Sequence, residues 1–150
     1  MINIIRTDSA NQDFIELIKG LNADLAARDG ADHSFYAQFN TIDKIKYVVV
    51  AYEKRNPVGC GAIKEYTATT MEIKRMYTLP GNRGKGIATK VLAELEMWAR
   101  ELSYEKCLLE TGEKQPEAIG LYKKSGYKLI TNYGQYAGVE NSVCFEKNIQ

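Results

Sequence analysis

The chain has 150 residues, 45% of them apolar and 26% charged, and its 20 basic and 19 acidic side chains leave a formal charge of +1. That length suits one domain, residues 1–150, with a real core; the charge balance offers no basic excess for nucleic acid and no charged tail. No apolar run approaches the roughly 20 residues of a membrane span, and MINIIRTDS lacks the charged-then-apolar pattern of a secretory leader, so a cytoplasmic protein is expected.

Ile2 to Arg6 reads as a short strand. Ser9-Ala10-Asn11-Gln12 fits a capping box, with Ser9 at the cap and Gln12 three residues on. Phe14, Leu17, Ile18, Leu21 and Leu25 follow at helical spacing to about Arg28, and Asp29-Gly30 ends the helix. His33 to Ile45 shows no clean period; a short helix around Phe35 to Phe39 is one reading. Tyr47 to Tyr52 is a strand, Lys54-Arg55-Asn56-Pro57 a turn, Val58 to Thr67 a strand, Ala68-Thr69-Thr70 a turn and Met71 to Leu79 a third strand. Such short connections imply an antiparallel meander. In the third strand the apolar phase slips: Met71 and Ile73 are odd, Met76 even. A one-residue bulge at Lys74-Arg75 explains the slip, and bulges are frequent beside active sites.

Ile87, Val91, Leu95, Trp98 and Leu102 mark one face of a helix, and Cys107-Leu108-Leu109 a strand. Strand, loop, helix and strand in that order form a crossover, so its two strands should be parallel. Gln115-Pro116 opens another helix and Gly126 closes it. Tyr127 to Thr131 and Ser142 to Glu146 complete an α/β domain with a mixed sheet. Cys60, Cys107 and Cys144 are odd in number and far apart, which suits buried thiols in a reducing compartment.

The loop before the long helix holds Gly81, Gly84 and Gly86 with Arg83 and Lys85 between them. A strand-to-helix loop presents unpaired amides and the positive end of a helix dipole, and a phosphate or diphosphate is its natural occupant. A Walker A loop is excluded, because Ile87 stands where lysine is required. A dinucleotide fingerprint is approached by Gly84-x-Gly86-x-x-Thr89, with Glu110 at a distance for a ribose, but the upstream meander does not suit that fold.

Arg83-Gly84-Lys85-Gly86-Ile87-Ala88 matches Arg/Gln-x-x-Gly-x-Gly/Ala. It resembles the acetyl-CoA diphosphate loop of the GCN5-related N-acetyltransferase (GNAT) family. Glu72-Ile73-Lys74-Arg75-Met76-Tyr77 looks like that family's bulged strand. Gln115-Pro116-Glu117-Ala118-Ile119-Gly120-Leu121-Tyr122-Lys123-Lys124-Ser125-Gly126-Tyr127 looks like its N-x-x-A-x-x-L-Y-x-x-x-G-F/Y segment, with Gln115 in place of the frequent Asn. The resemblance spans about Met71 to Tyr127. It implies the acyl-CoA N-acyltransferase fold: a mixed, mostly antiparallel sheet with a splayed parallel strand pair and flanking helices.

What the resemblance implies chemically is transfer of an acetyl group from acetyl-CoA to a primary amine, directly within a ternary complex, with CoA as product and no metal. Pantetheine would bond the main chain of Met76, Tyr77 and Thr78, the Met76 amide facing the thioester oxygen. Arg83 and Lys85 would neutralise phosphate, while Gly84, Gly86, Ile87, Ala88 and Thr89 offer amides. Gln115 would reach the cofactor or cap its helix, and Lys124 would approach the 3′-phosphate or lie in solvent. Tyr122 matches the tyrosine that faces the sulfur. Its ordinary pKa of about 10 exceeds the roughly 8.5 of a thiol, so it can protonate the departing thiolate.

An amine protonated at neutral pH needs a carboxylate to take its proton. Glu72 is the first choice and Glu110 its rival; each could instead be a solvated charge at a strand end. His33 is the lone histidine, so no triad or multi-histidine metal site can form around it. Asp29, Asp32 and His33 would line a substrate entrance or a solvated loop. Tyr133-Gly134-Gln135-Tyr136 would close over the substrate or pack a hairpin. A homodimer is among the assemblies the family forms; membrane and nucleic-acid partners are not expected. The alternative function is a non-catalytic acyl-CoA-binding or sensory module, which has no need of both Tyr122 and Glu72.

Overall fold

The computed structural model describes residues 1–29 and 45–150, the side chains of residues 28 and 29 excepted. His33, Asp32 and the suggested helix around Phe35 to Phe39 lie outside the described residues. Strands β1 (Ile2–Thr7), β2 (Tyr47–Glu53), β3 (Asn56–Thr67), β4 (Thr70–Thr78), β5 (Lys106–Gly112), β6 (Lys128–Ile130) and β7 (Ser142–Asn148) form one sheet in the order β1-β2-β3-β4-β5-β7-β6. Helix α1 (Gln12–Asp29) follows β1, α2 (Ile87–Glu101) connects β4 to β5, and α3 (Pro116–Lys124) follows β5. Every neighbouring pair is antiparallel except β4 with β5, as the crossover requires.

Both faces of the sheet are covered, and β2 shows why its sequence is a continuous apolar run. Val48 and Val50 pack with Phe14, Leu17, Ile18 and Leu21 of α1. Val49 and Ala51 pack on the opposite face with Val91, Leu92 and Leu95 of α2. Tyr122 of α3 joins the α2 side. All three cysteines are buried free thiols, two of them, Cys60 and Cys107, on opposite faces of the sheet. Among the described residues, no helix is long and apolar enough to cross a membrane.

Two local readings need correction. The cap of α1 is Asn11, not Ser9: Asn11 Oδ1 accepts the Phe14 amide at 2.9 Å, while Asp8 Oδ1 takes the Ala10 amide and turns the chain ahead of it. The turn after β2 is only Lys54-Arg55, both left-handed (φ 51° and 70°), and Asn56-Pro57 already belong to β3. Two consecutive positive φ angles define the tight turn whose twist suits a hairpin.

Candidate active site

The parallel ladder between β4 and β5 has three rungs and stops at Glu72 and Leu108, although β4 continues to Thr78 and β5 to Gly112. Beyond that point the strands part around a cavity of about 480 Å³, a size suited to a small ligand or cofactor arm. The bulge expected in β4 helps to shape it. Ala62 pairs with Lys74 and Cys60 with Tyr77, so Gly61 alone faces Arg75 and Met76. Arg75 is left-handed (φ 60°), and its carbonyl accepts the Cys60 thiol at 3.3 Å. A Cβ on Gly61 would lie 2.5 Å from Met76 Sδ. The missing side chain is therefore the space that Met76 fills.

At one end of the cavity, Pro80–Asn82 form a 3₁₀ turn and Gly86 caps α2. Gly84 (φ 82°) and Gly86 (φ 79°) have open space where a Cβ would stand, so conformation rather than crowding asks for glycine. Gly84, Gly86, Ile87, Ala88 and Thr89 line the cavity, and the first-turn amides have no carbonyl behind them in the helix. Arg83 also lines it: Nε donates to the Thr78 carbonyl at 3.0 Å, and Nη2 lies 3.6 Å from Asp24 of α1. Lys85 is not among the lining residues and extends toward Glu53, Nζ to carboxylate 3.7 Å. Gln115 and Lys124 line the cavity from α3; Gln115 stands at the cap without a side-chain capping bond.

At the other end stand Tyr122, Glu72 and Glu110. Tyr122 is edge-on to Tyr127, ring centroids 5.8 Å apart, and tilted against Phe145. Burial, then the Glu110 carboxylate, push its phenol well above the ordinary range, so it holds its proton at any working pH. Glu72 is only 7% exposed. Its Oε2 accepts the Tyr133 hydroxyl at 2.6 Å, and its Oε1 lies 3.7 Å from Lys74. Glu110 accepts the Ser142 hydroxyl at 2.7 Å. Glu72 is thus buried, and Glu110 is half-buried and hydrogen-bonded. The aromatic turn lies at this end: Tyr136 is buried and lines the cavity, and its phenol is raised by burial, then by Glu110 and Glu72.

Three lining residues had no motif to announce them: Leu21, Asp24 and Leu25 come from α1, and the Asp24–Arg83 pair joins positions far apart in the chain. Arg75, buried in the bulge that the phase slip marks, also lines the cavity. Among the described residues, no cluster of three or more His, Cys, Asp or Glu is placed to hold a metal.

A glycine loop at a helix N-terminus, opening into a cleft between two parting parallel strands, is the geometry of a class of α/β proteins with an anion-binding turn beside a slot in the sheet. The chain belongs to the acetyltransferase (GNAT) family, whose model matches residues 14–127. It is 32% identical over 149 residues to an IAA acetyltransferase of Azospirillum brasilense, covering 97% of each chain. It is 40% identical over 87 residues to YjgM of Escherichia coli, itself named an uncharacterized N-acetyltransferase, over 56% of this chain and 52% of the relative. A Klebsiella pneumoniae structure described as an acyl-CoA N-acyltransferase superposes with a TM-score of 0.84 at 28% identity, over 100% of this chain and 99% of the other. The PaiA N-acetyltransferase of Thermoplasma acidophilum, solved with coenzyme A, shares the fold (TM-score 0.76, 17% identity, 99% of each chain).

Proposed function

We propose that this protein moves the acetyl group of acetyl-CoA to a primary amine by direct attack within a ternary complex. The observation that carries the reading is the continuity of the cavity. It runs from the left-handed glycine loop, along the unpaired edge of β4, to a protonated phenol and a buried carboxylate. The residues fit the cofactor: the amides of Gly84 to Thr89 and the Arg83 guanidinium suit a diphosphate, and Lys124 suits the 3′-phosphate. The free edge of β4 at Met76 to Thr78 suits the two amides of pantetheine. Bound there, acetyl-CoA supplies the activated acyl carbon.

Glu72 takes one proton from the acceptor ammonium and passes it to solvent. The amine nitrogen bonds to the thioester carbon while the Met76 amide stabilises the oxyanion, a donor of the kind worth about 2.7–4 kcal/mol. The carbon–sulfur bond then breaks. Tyr122 protonates the sulfur, and the second proton leaving nitrogen restores the phenol. Glu110, held by Ser142 and close enough to Tyr122 to raise its phenol, is the second carboxylate of the site.

The test is thiol release from acetyl-CoA against a panel of amines: aliphatic amines, amino acids, polyamines, aminoglycosides and peptide N-termini. Amine-dependent release with an acetylated product is expected. Tight CoA binding with no release above the hydrolytic background for any amine would replace catalysis with binding alone.

A further inference from the structure

The connection between β6 and β7 reaches back across the cavity end to β4, and one of its contacts there is a hydrogen bond to Glu72. Tyr133 Oη donates to Glu72 Oε2 at 2.6 Å, between residues 61 positions apart. The Tyr133 ring is held on two sides, edge-on to Tyr66 at 5.1 Å and to Tyr136 at 5.7 Å. Gly134, at φ 53°, turns the chain so closely beneath Tyr66 that a Cβ there would come within 3.2 Å of the Tyr66 hydroxyl. A ring clamped in this way delivers its hydroxyl to a fixed point.

The effect on Glu72 is specific. One carboxylate oxygen is pinned, and the carboxyl plane with it. The other, Oε1, has Lys74 at 3.7 Å as its partner among the described residues, beyond hydrogen-bond length. Oε1 is thus the oxygen left to receive a proton. A buried carboxylate on a strand can otherwise rotate about its last side-chain bond, which is broad and weakly hindered. A base that wanders loses the alignment on which proton transfer depends.

We propose that Tyr133 is a positioning residue for acetyl transfer, fixing Glu72 so that Oε1 faces the acceptor amine. The proposal rests on Glu72 being the base. It assigns to the Tyr133–Tyr136 turn a part in the reaction that the family's loop and helix motifs do not include.

A double-mutant cycle on the full chain tests it, read by thiol release with the best amine of the panel and by thermal unfolding. Glu72→Gln lowers kcat about a hundredfold, the lower end for loss of a general base. Tyr133→Phe keeps the ring and lowers kcat about tenfold, with KM for acetyl-CoA within twofold and the melting temperature within a few degrees. In the Glu72→Gln background, Tyr133→Phe changes kcat less than twofold, because there is no base left to aim. Multiplying effects in the double variant, or an unchanged kcat in Tyr133→Phe, would overturn the proposal. So would loss of the cooperative unfolding transition in Tyr133→Phe, since the phenol would then hold the fold rather than the carboxylate. Full kcat in Glu72→Gln would instead remove the base reading itself.

Discussion

Burial raises the Tyr122 phenol above its ordinary range and so favours the protonated form, which is the form the proposed reaction uses as a donor. A thiolate is already a good leaving group, so the assistance it needs is modest. Tyr122→Phe, which leaves the contacts with Tyr127 and Phe145 in place, should lower kcat by about a hundredfold, the low end for an acid catalyst. CoA affinity by calorimetry should hardly change; unaltered turnover would take the hydroxyl out of the mechanism. Tyr122 was readable from the chain because it sits inside a spaced motif. Tyr133 was readable only as part of an aromatic turn. Its bond to Glu72 depends on how far a connection between two later strands folds back, and no local pattern encodes that distance. Asn11 shows the opposite failure: Ser9 also satisfies the capping pattern, and only the position of the helix axis decides between them.

Among the elements, β4 bears most of the design. Its bulge turns two neighbouring side chains away from strict alternation, and past Glu72 its other edge is no longer paired with β5. The slip was visible in the sequence because a two-residue period leaves no room for an uncounted residue. The other half of the device, Gly61, was not. Its need for glycine comes from Met76, Val91 and Leu95, which lie on another strand and a helix that packs across it. Gly61→Ala should cost about 1–3 kcal/mol, as overpacked cores do, with acetyl-CoA binding weakened because Met76 must move. Urea unfolding checks the first part and calorimetry the second. A stability equal to that of the unsubstituted protein would mean that α2 and β4 yield more readily than their packing implies.

At the scale of the molecule, the sheet buries acidic protons on both faces. Burial pushes the Cys60 and Cys107 thiols up to about 12 from an ordinary value near 9. The unfolded chain therefore releases these protons first. Unfolding loses protons above pH 9, so stability is fully present below that value and falls as pH rises toward 12. Each thiol can contribute up to about 1.4 kcal/mol per pH unit in that window. The buried phenols of Tyr122, Tyr127 and Tyr136 add to the slope above pH 10. Urea midpoints measured from pH 8 to pH 11 should hold to about pH 9 and decline from there to pH 11; a flat profile would mean that the thiols reach solvent without unfolding. The mixed sheet with flanking helices was legible, because the helix periods, the short turns of the meander and the crossover each showed in the sequence and the family resemblance implied how they assemble. The contact of α1 with the glycine loop was not, since Asp24 and Arg83 meet only after every intervening element is in place.

The short seam between β4 and β5 has a mechanical meaning. Three rungs join a four-stranded half-sheet to a three-stranded one, and past Glu72 and Leu108 β4 and β5 are no longer paired with each other. An arm with peptide-like spacing laid into that gap would act as a suture. The occupied molecule would then resist shear between its halves, and the empty one would yield first along that line.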